Sequence, residues 1–297
     1  LLLGACKNGN ASSQNKSETS QDTIKAIKMP AIPQMMTAPE QRADFLAKHY
    51  WDNVNFADTN YIHHPEVTEQ ALADYCDLLN HVPLETAQQA MRNVIDRTNV
   101  DKKVFTYITD LADKYLYDPN SPMRNEEFYI PVLEAMIASP VLNETEKIRP
   151  QARLKLAQKN RIGTKALNFT YTLASGAQGS LYQLKAEYLL LFINNPGCQA
   201  CTETIEGLKN APIINQLLQE KKLVLLSIYP DEELDEWKKH LSEFPNEWIN
   251  GYDKKFTIKE EQVYDLKAIP TLYLLDKDKT VLLKDATAPA IEAYLMQ

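Results

Sequence analysis

The sequence predicts two domains: an all-α helical domain over residues 38–160, then an α/β domain with a mixed central sheet flanked by helices over 161–297. Three observations predict this. Apolar residues recur at helical spacing through the first stretch. After "KNRIG" (159–163) the pattern changes to short apolar runs that alternate with helical segments. A length of 297 residues favours two packed cores over one.

The elements follow in order. "LLLGAC" has the pattern of a lipobox: Leu3, small Gly4 and Ala5, then Cys6. The small pair would let a signal peptidase reach the bond before Cys6, whose thiol would carry a diacylglycerol. Residues 1–5 are then the end of a signal peptide and Cys6 the lipidation site. The polar stretch "KNGNASSQNKSETSQDT" cannot bury enough apolar surface to fold, so 6–37 is expected to be a disordered tether.

In the helical region Pro39 opens the first helix. Leu72, Tyr75, Cys76 and Leu79 lie at i, i+3, i+4 and i+7 of another. Pro83 starts a helix with Ala87, Met91, Val94 and Ile95 on one face. Val104, Ile108, Leu111 and Tyr115 mark the next stripe, which "YLYDPNSP" breaks. A helix from about Asn125 carries Phe128, Val132, Leu133 and Met136. Asn143 with Glu146 three residues on is a capping box for the last.

In the α/β region "ALNFTYTL" (166–173) alternates like a strand and "SGAQGS" is a turn. "YLLLFIN" (188–194) is nearly continuous apolar sequence, as a strand buried on both faces requires. "NNPGCQAC" follows and opens a helix through Leu208. "APIINQLL" is a short helix, "LVLLSIY" (223–229) another buried strand, and "DEELDEWKKHLSEF" (231–244) an amphipathic helix. "TLYLLDKDKTVLL" (271–283) reads as a hairpin and "APAIEAYLM" as a closing helix.

Composition excludes some functions. A formal net charge of −8 with interspersed charges argues against nucleic acid as a partner. Only 8 glycines occur, and none forms a phosphate-cradling loop. No apolar run is long enough to span a membrane.

Four cysteines are present, and Cys198 and Cys201 are two residues apart. Cys198 falls between a buried strand and a helix, where free N–H groups and the positive end of the helix dipole favour a thiolate. Cys201 lies one turn on, facing the helix body. Cys198 is therefore the expected exposed nucleophile and Cys201 the resolving thiol of a disulfide exchange. Three other readings are weaker. A structural staple across two residues closes little chain. A zinc site needs two further ligands, and no second CxxC or spaced His pair supplies them. A peroxiredoxin would carry Thr or Ser where Asn195 stands. Cys76 reads as a buried small hydrophobe, and His63-His64 as a solvated loop. The aromatics of "HYWDNVNF" and "YLYDPNSPMRNEEFY" read as core, with a ligand groove as the alternative.

Strand–CxxC–helix, followed some 70 residues later by "AIPTLYLLD" entering a hairpin, resembles the thioredoxin fold, and in detail TlpA/ResA-type thiol–disulfide oxidoreductases. The resemblance covers about 162–297. It implies a redox-active disulfide at Cys198 and Cys201 and a cis-proline at Pro270. Ile269, Pro270, Thr271 and Gly197 would form the substrate-docking edge. It implies no cofactor and no metal, since the electrons reside in the thiols. Partners would be protein thiols and disulfides of the cell envelope, with a membrane reductase as electron donor. The protein would face the periplasm or the cell surface, held to a membrane through Cys6. The whole chain also resembles Gram-negative lipoproteins that place a helical domain of unknown function ahead of a thioredoxin-like one. The sequence departs from the pattern at Gly197, where thioredoxins carry Trp, and in the inner pair Gln199-Ala200. Phe192 replaces a buried Asp, and Thr204 stands where TlpA/ResA-type proteins often carry Glu. The expectation is a lipid-anchored thiol–disulfide oxidoreductase outside the cytoplasm. The alternative is a ligand- or protein-binding lipoprotein whose second domain is a scaffold with a structural disulfide.

Overall fold

A computed structural model describes residues 26–297. The lipobox, Cys6 and most of the expected tether lie outside the described residues. Residues 26–37 have no helix or strand, yet Ile27 packs on the helical core and Asn53 Nδ2 donates to the Lys28 carbonyl at 2.9 Å.

The first half is helical. The helices are α1 (Pro39–His49), α2 (Pro65–Leu79), α3 (Leu84–Arg97), α4 (Lys102–Ala112), α5 (Glu126–Ala138) and α6 (Glu144–Ala157). Pro39 and Pro65 occupy first-turn positions, where a missing N–H loses no hydrogen bond. The Asp101 carboxylate accepts from the Lys103 and Val104 N–H groups, and Asn125 Oδ1 accepts from Phe128 N–H. Asn143 and Glu146 form the expected capping box. The stripe of α4 runs on through a single π-helical turn, Asp113–Tyr117, before the prolines break it. Leu72, Tyr75, Cys76, Leu79, Met91, Ile95, Val132 and Leu133 are all buried in one apolar cluster with Tyr50, Trp51 and Phe56. The aromatics of "HYWDNVNF" are thus core. Helix α5 is buried nearly all round, which makes it the central helix of this half.

The second half contains β1 (Thr170–Leu173), β2 (Gln178–Ser180), β3 (Tyr188–Ile193), α7 (Gln199–Lys209), α8 (Pro212–Gln219) and β4 (Leu223–Tyr229). It continues with α9 (Leu234–His240), β5 (Ile249–Tyr252), α10 (Thr257–Glu260), β6 (Thr271–Asp276), β7 (Val281–Lys284) and α11 (Ala288–Leu295). Among the described residues the strands form one mixed sheet in the order β2-β1-β5-β4-β3-β6-β7. Strand β3 is central, parallel to β4 and antiparallel to β6. Its side chains alternate between two apolar clusters, Leu189, Leu191 and Ile193 on one face and Leu190 and Phe192 on the other. That two-sided burial is why its sequence is a continuous apolar run.

Four elements differ from expectation. The expected turn "SGAQGS" gives its second half, Gln178–Ser180, to β2, because these residues pair antiparallel with β1. Ladder pairing of the first strand begins only at Thr170, because the main chain of Ala166 and Phe169 bonds outside the sheet, to Lys279 and Leu181. The amphipathic helix spans only Leu234–His240. Asp231 is drawn away to Asn195 and Lys259, and Leu241–Glu243 tightens to a 3₁₀ turn. Strand β5 lies in what reads as a loop. It bridges β4 and β1, and its Gly251 leaves room for the ring of Tyr171, which an added Cβ would meet at 2.9 Å.

The halves meet where α5 and α6 face the sheet domain. Asn160 Nδ2 donates to the Val263 carbonyl at 2.7 Å, and Arg161 pairs with Glu127. A cleft of about 210 Å³ lies along this seam, lined by Arg124 and Glu126 from the first half and by Ile162, Lys284 and Asp285 from the second.

Candidate functional site

The site is built where β3 ends. Asn194 closes the strand: its N–H donates to the Ile228 carbonyl at 3.0 Å, and its buried Nδ2 donates to Ser227 Oγ at 2.8 Å. Gly197 then turns the chain with φ +70, a conformation that glycine adopts without strain. No atom crowds this position, so the glycine answers the backbone rather than space.

Cys198 is the N-cap of α7. Its sulfur accepts the Cys201 N–H at 3.3 Å, one of the donors that a helix start leaves without an internal partner. It is half-buried, within reach of solvent. Cys201 is 2 % exposed and faces the helix body. Both thiols are free. Burial, reinforced by its contact with Cys198, pushes the Cys201 thiol up to about 12. It therefore holds its proton at neutral pH. Among the described residues no carboxylate stands ready to take that proton. Glu203 accepts from Gln199 at 2.9 Å and Glu206 pairs with Lys209 at 2.9 Å, both on the solvent side of α7. Phe192 fills the inner position with its ring edge-on to Trp248.

The second wall comes from the other side of β3. The antiparallel register sets Thr271 opposite Ile193, which brings the residues before β6 beside the CxxC turn. The Ile269–Pro270 peptide is cis, and the Ile269 carbonyl lies 3.8 Å from Cys198 Sγ. Ile269 and Pro270 are half-exposed. Thr271 is buried, and its hydroxyl donates to the Ala268 carbonyl at 2.6 Å, so it shapes the turn from within.

The fold thus brings together Cys198, Cys201, Gly197, Ile269 and Pro270. Cys76 stays apart: it is 2 % exposed in the helical core, and burial pushes its thiol up to about 12. His64 accepts or donates only locally, with Glu66 at 3.1 Å. Sequence reasoning missed the buried Asn194–Ser227 pair, whose only signal was an Asn closing an apolar run. It also missed Lys267, two residues before Ile269, whose side chain is 10 % exposed among carboxylates.

A helix-capping cysteine, its buried partner one turn on and a facing cis-proline define a thioredoxin-like protein. The chain belongs to the family defined by the domain of unknown function DUF5106, whose model matches residues 5–160, here joined to a domain that matches a thioredoxin-like model over 186–281. It is similar to a thioredoxin-like protein from Bacteroides caccae, at 84 % identity over 92 % of this chain and 99 % of that one, with a TM-score of 0.90. The C-terminal domain of an uncharacterized protein from Bacteroides fragilis is 69 % identical over 46 % of this chain and 99 % of its own, with a TM-score of 0.46. The thioredoxin domain of a thiol-disulfide oxidoreductase from Bacteroides vulgatus is 20 % identical over 46 % of this chain and 98 % of its own, with a TM-score of 0.40. No curated protein matches the chain.

Proposed function

We propose that the protein exchanges disulfides with protein partners through Cys198 and Cys201. The observation that carries this reading is the division of labour within one helical turn. Cys198 is within reach of solvent at a helix start, with a backbone N–H on its sulfur. Cys201 is buried behind it and protonated.

The Cys198 thiolate attacks one sulfur of a partner disulfide. The Cys198–partner bond forms, the partner's S–S bond breaks, and its second sulfur leaves as a thiolate that takes a proton. Cys201 then gives up its proton and attacks Cys198 Sγ. The Cys198–Cys201 bond forms and the partner leaves as a dithiol. Two electrons pass from the pair to the partner, and a second dithiol must return them. A membrane reductase is the donor we propose. With no carboxylate beside Cys201, water is the proposed proton acceptor, and the second step is the slower one.

We further propose that the protein works outside the cytoplasm on a lipid anchor at Cys6. The support is the order Leu3, Gly4, Ala5, Cys6 followed by a polar stretch. Among the described residues no helix is long and apolar enough to cross a membrane.

The test is a Cys201→Ala variant expressed in its native envelope. It should accumulate mixed disulfides through Cys198 that a reductant releases. An absence of such adducts, with the wild-type pair still reducible, would contradict exchange. An undiminished cellular phenotype in Cys198→Ala would move the function to the helical domain.

A further inference from the structure

We propose that Lys267 is a positioning residue for this exchange: held by Glu126 of the helical domain, it fixes the turn that presents Ile269 and Pro270 to Cys198. The inference rests on the exchange reading above.

Lys267 stands two residues before Ile269. Its main-chain N–H donates to Asp265 Oδ1 at 3.0 Å, and its Nζ donates to Asp265 Oδ2 at 3.1 Å. One carboxylate thus grips both ends of the residue and closes the turn on itself. The same Nζ lies 3.1 Å from Glu126 Oε1 and 3.3 Å from Asp285 Oδ2. Glu126 belongs to the first turn of α5, so the grip crosses between the domains. Its other oxygen pairs with Lys284, whose Nζ also donates to the Lys159 carbonyl at 2.7 Å. Arg124 Nη2 donates to the Asp285 main-chain carbonyl at 2.6 Å and seats that third carboxylate. The ring of Tyr117, turned inward by the π-helical turn after α4, lies 5.1 Å from the ammonium.

The cluster is built for placement. The Lys267, Asp265, Asp285 and Glu126 side chains are 10, 6, 11 and 13 % exposed, so water screens them little. Burial works against the Lys267 charge, but Asp285, Glu126 and Asp265 overcome it and hold its pKa above the ordinary lysine value. Removing one partner would leave a buried charge unpaired, so the arrangement resists displacement. From Lys267 the chain has little slack. The Thr271 hydroxyl pins the Ala268 carbonyl at 2.6 Å, and the next carbonyl, that of Ile269, is the one beside Cys198 Sγ. The TM-score of 0.90 over 92 % of the chain requires both halves, in the same mutual orientation, in the Bacteroides caccae protein. The helical domain therefore supports one wall of the redox site without touching either cysteine.

The test uses the full chain, insulin disulfides as the peptide substrate, hydroxyethyl disulfide as the small one, and dithiothreitol as electron donor. An extended peptide needs the Ile269–Pro270 wall; a small disulfide needs only the two cysteines. Lys267→Met and Glu126→Gln should each raise the KM for insulin about tenfold, with kcat within about twofold. Turnover of the small disulfide should be unchanged. Lys267→Arg, which keeps the charge, should restore most of the KM. A wild-type KM in both Lys267→Met and Glu126→Gln would overturn the proposal alone, as would equal losses on both substrates that track a lowered Tm. A wild-type chain that reduces neither substrate would overturn the exchange reading, and the proposal with it.

Discussion

Cys76 and Cys201 are equally buried, at 2 % exposure, and burial pushes both thiols up to about 12. Their surroundings differ. Cys76 sits on an apolar stripe in the last turn of α2, about three turns from the helix start. Cys201 lies one turn into α7, its N–H spent on the sulfur of Cys198. Burial and a raised pKa therefore say nothing about redox function by themselves. What separates the two sites is the second sulfur that the helix start places in reach, and the cis-proline wall facing it.

The largest expected effect is at Cys198. Cys198→Ala should bring disulfide reduction down to the uncatalysed rate, whereas Cys76→Ala should leave the rate unchanged; both are read in an insulin turbidity assay. Next, the two buried thiols should both resist alkylation. Among the three cysteines of the described residues, iodoacetamide at pH 8 should modify reduced wild type at Cys198 alone, and leave folded Cys198→Ala unmodified at Cys76 and Cys201, as peptide mass mapping would show. Rapid labelling of Cys201 would mean that its burial is transient.

A third prediction concerns pH. The folded thiols of Cys76 and Cys201 keep their protons to about 12, against an ordinary value of 9.0 in the unfolded chain. A raised folded pKa gives stability that is fully present below pH 9.0 and lost as pH climbs towards 12. Each thiol should contribute a slope of about −1.4 kcal/mol per pH unit in that window. Buried tyrosines such as Tyr75 and Tyr264, raised from an ordinary value of 10.0, add to the fall in the same range, so the thiol share is read by difference: urea unfolding of the reduced proteins between pH 9 and 10 should show a fall in Cys76→Ala that is smaller than the wild-type fall by about 1 kcal/mol. The smallest effect is on stability at neutral pH. Cys76→Ala should cost about 1 kcal/mol, the loss of one buried heavy atom that its neighbours partly refill.

Sequence legibility follows the same division between local and distant causes. Strand β3 and the start of α7 announce themselves in adjacent residues: a run with two buried faces, then Gly197 and Cys198. The capping box of α6 is local in the same sense. Ile269–Pro270 was legible through its spacing to a known pattern, and the β3–β6 register explains why that spacing matters. Strand β5 was not legible. "INGY" has an Asn and a Gly in four residues, and it becomes a strand only because β4 and β1 flank it. Helix α9 was over-read because its charge pattern continues to Asp231, while the side chain of Asp231 is committed to Asn195 and Lys259. Lys267 and Glu126 are 141 residues apart, and no periodicity links them. Groups that meet across two domains leave no mark in either local pattern.

Exchange requires that Cys198 and Cys201 form a reversible two-electron couple. Equilibrating the protein in glutathione or dithiothreitol buffers of graded potential, with trapped thiols counted by mass, tests it most directly. A single reversible Nernst transition for two electrons is expected, between about −300 and −120 mV, with Cys76 reduced throughout. A pair that never closes, or one that stays oxidised below about −300 mV, would contradict it.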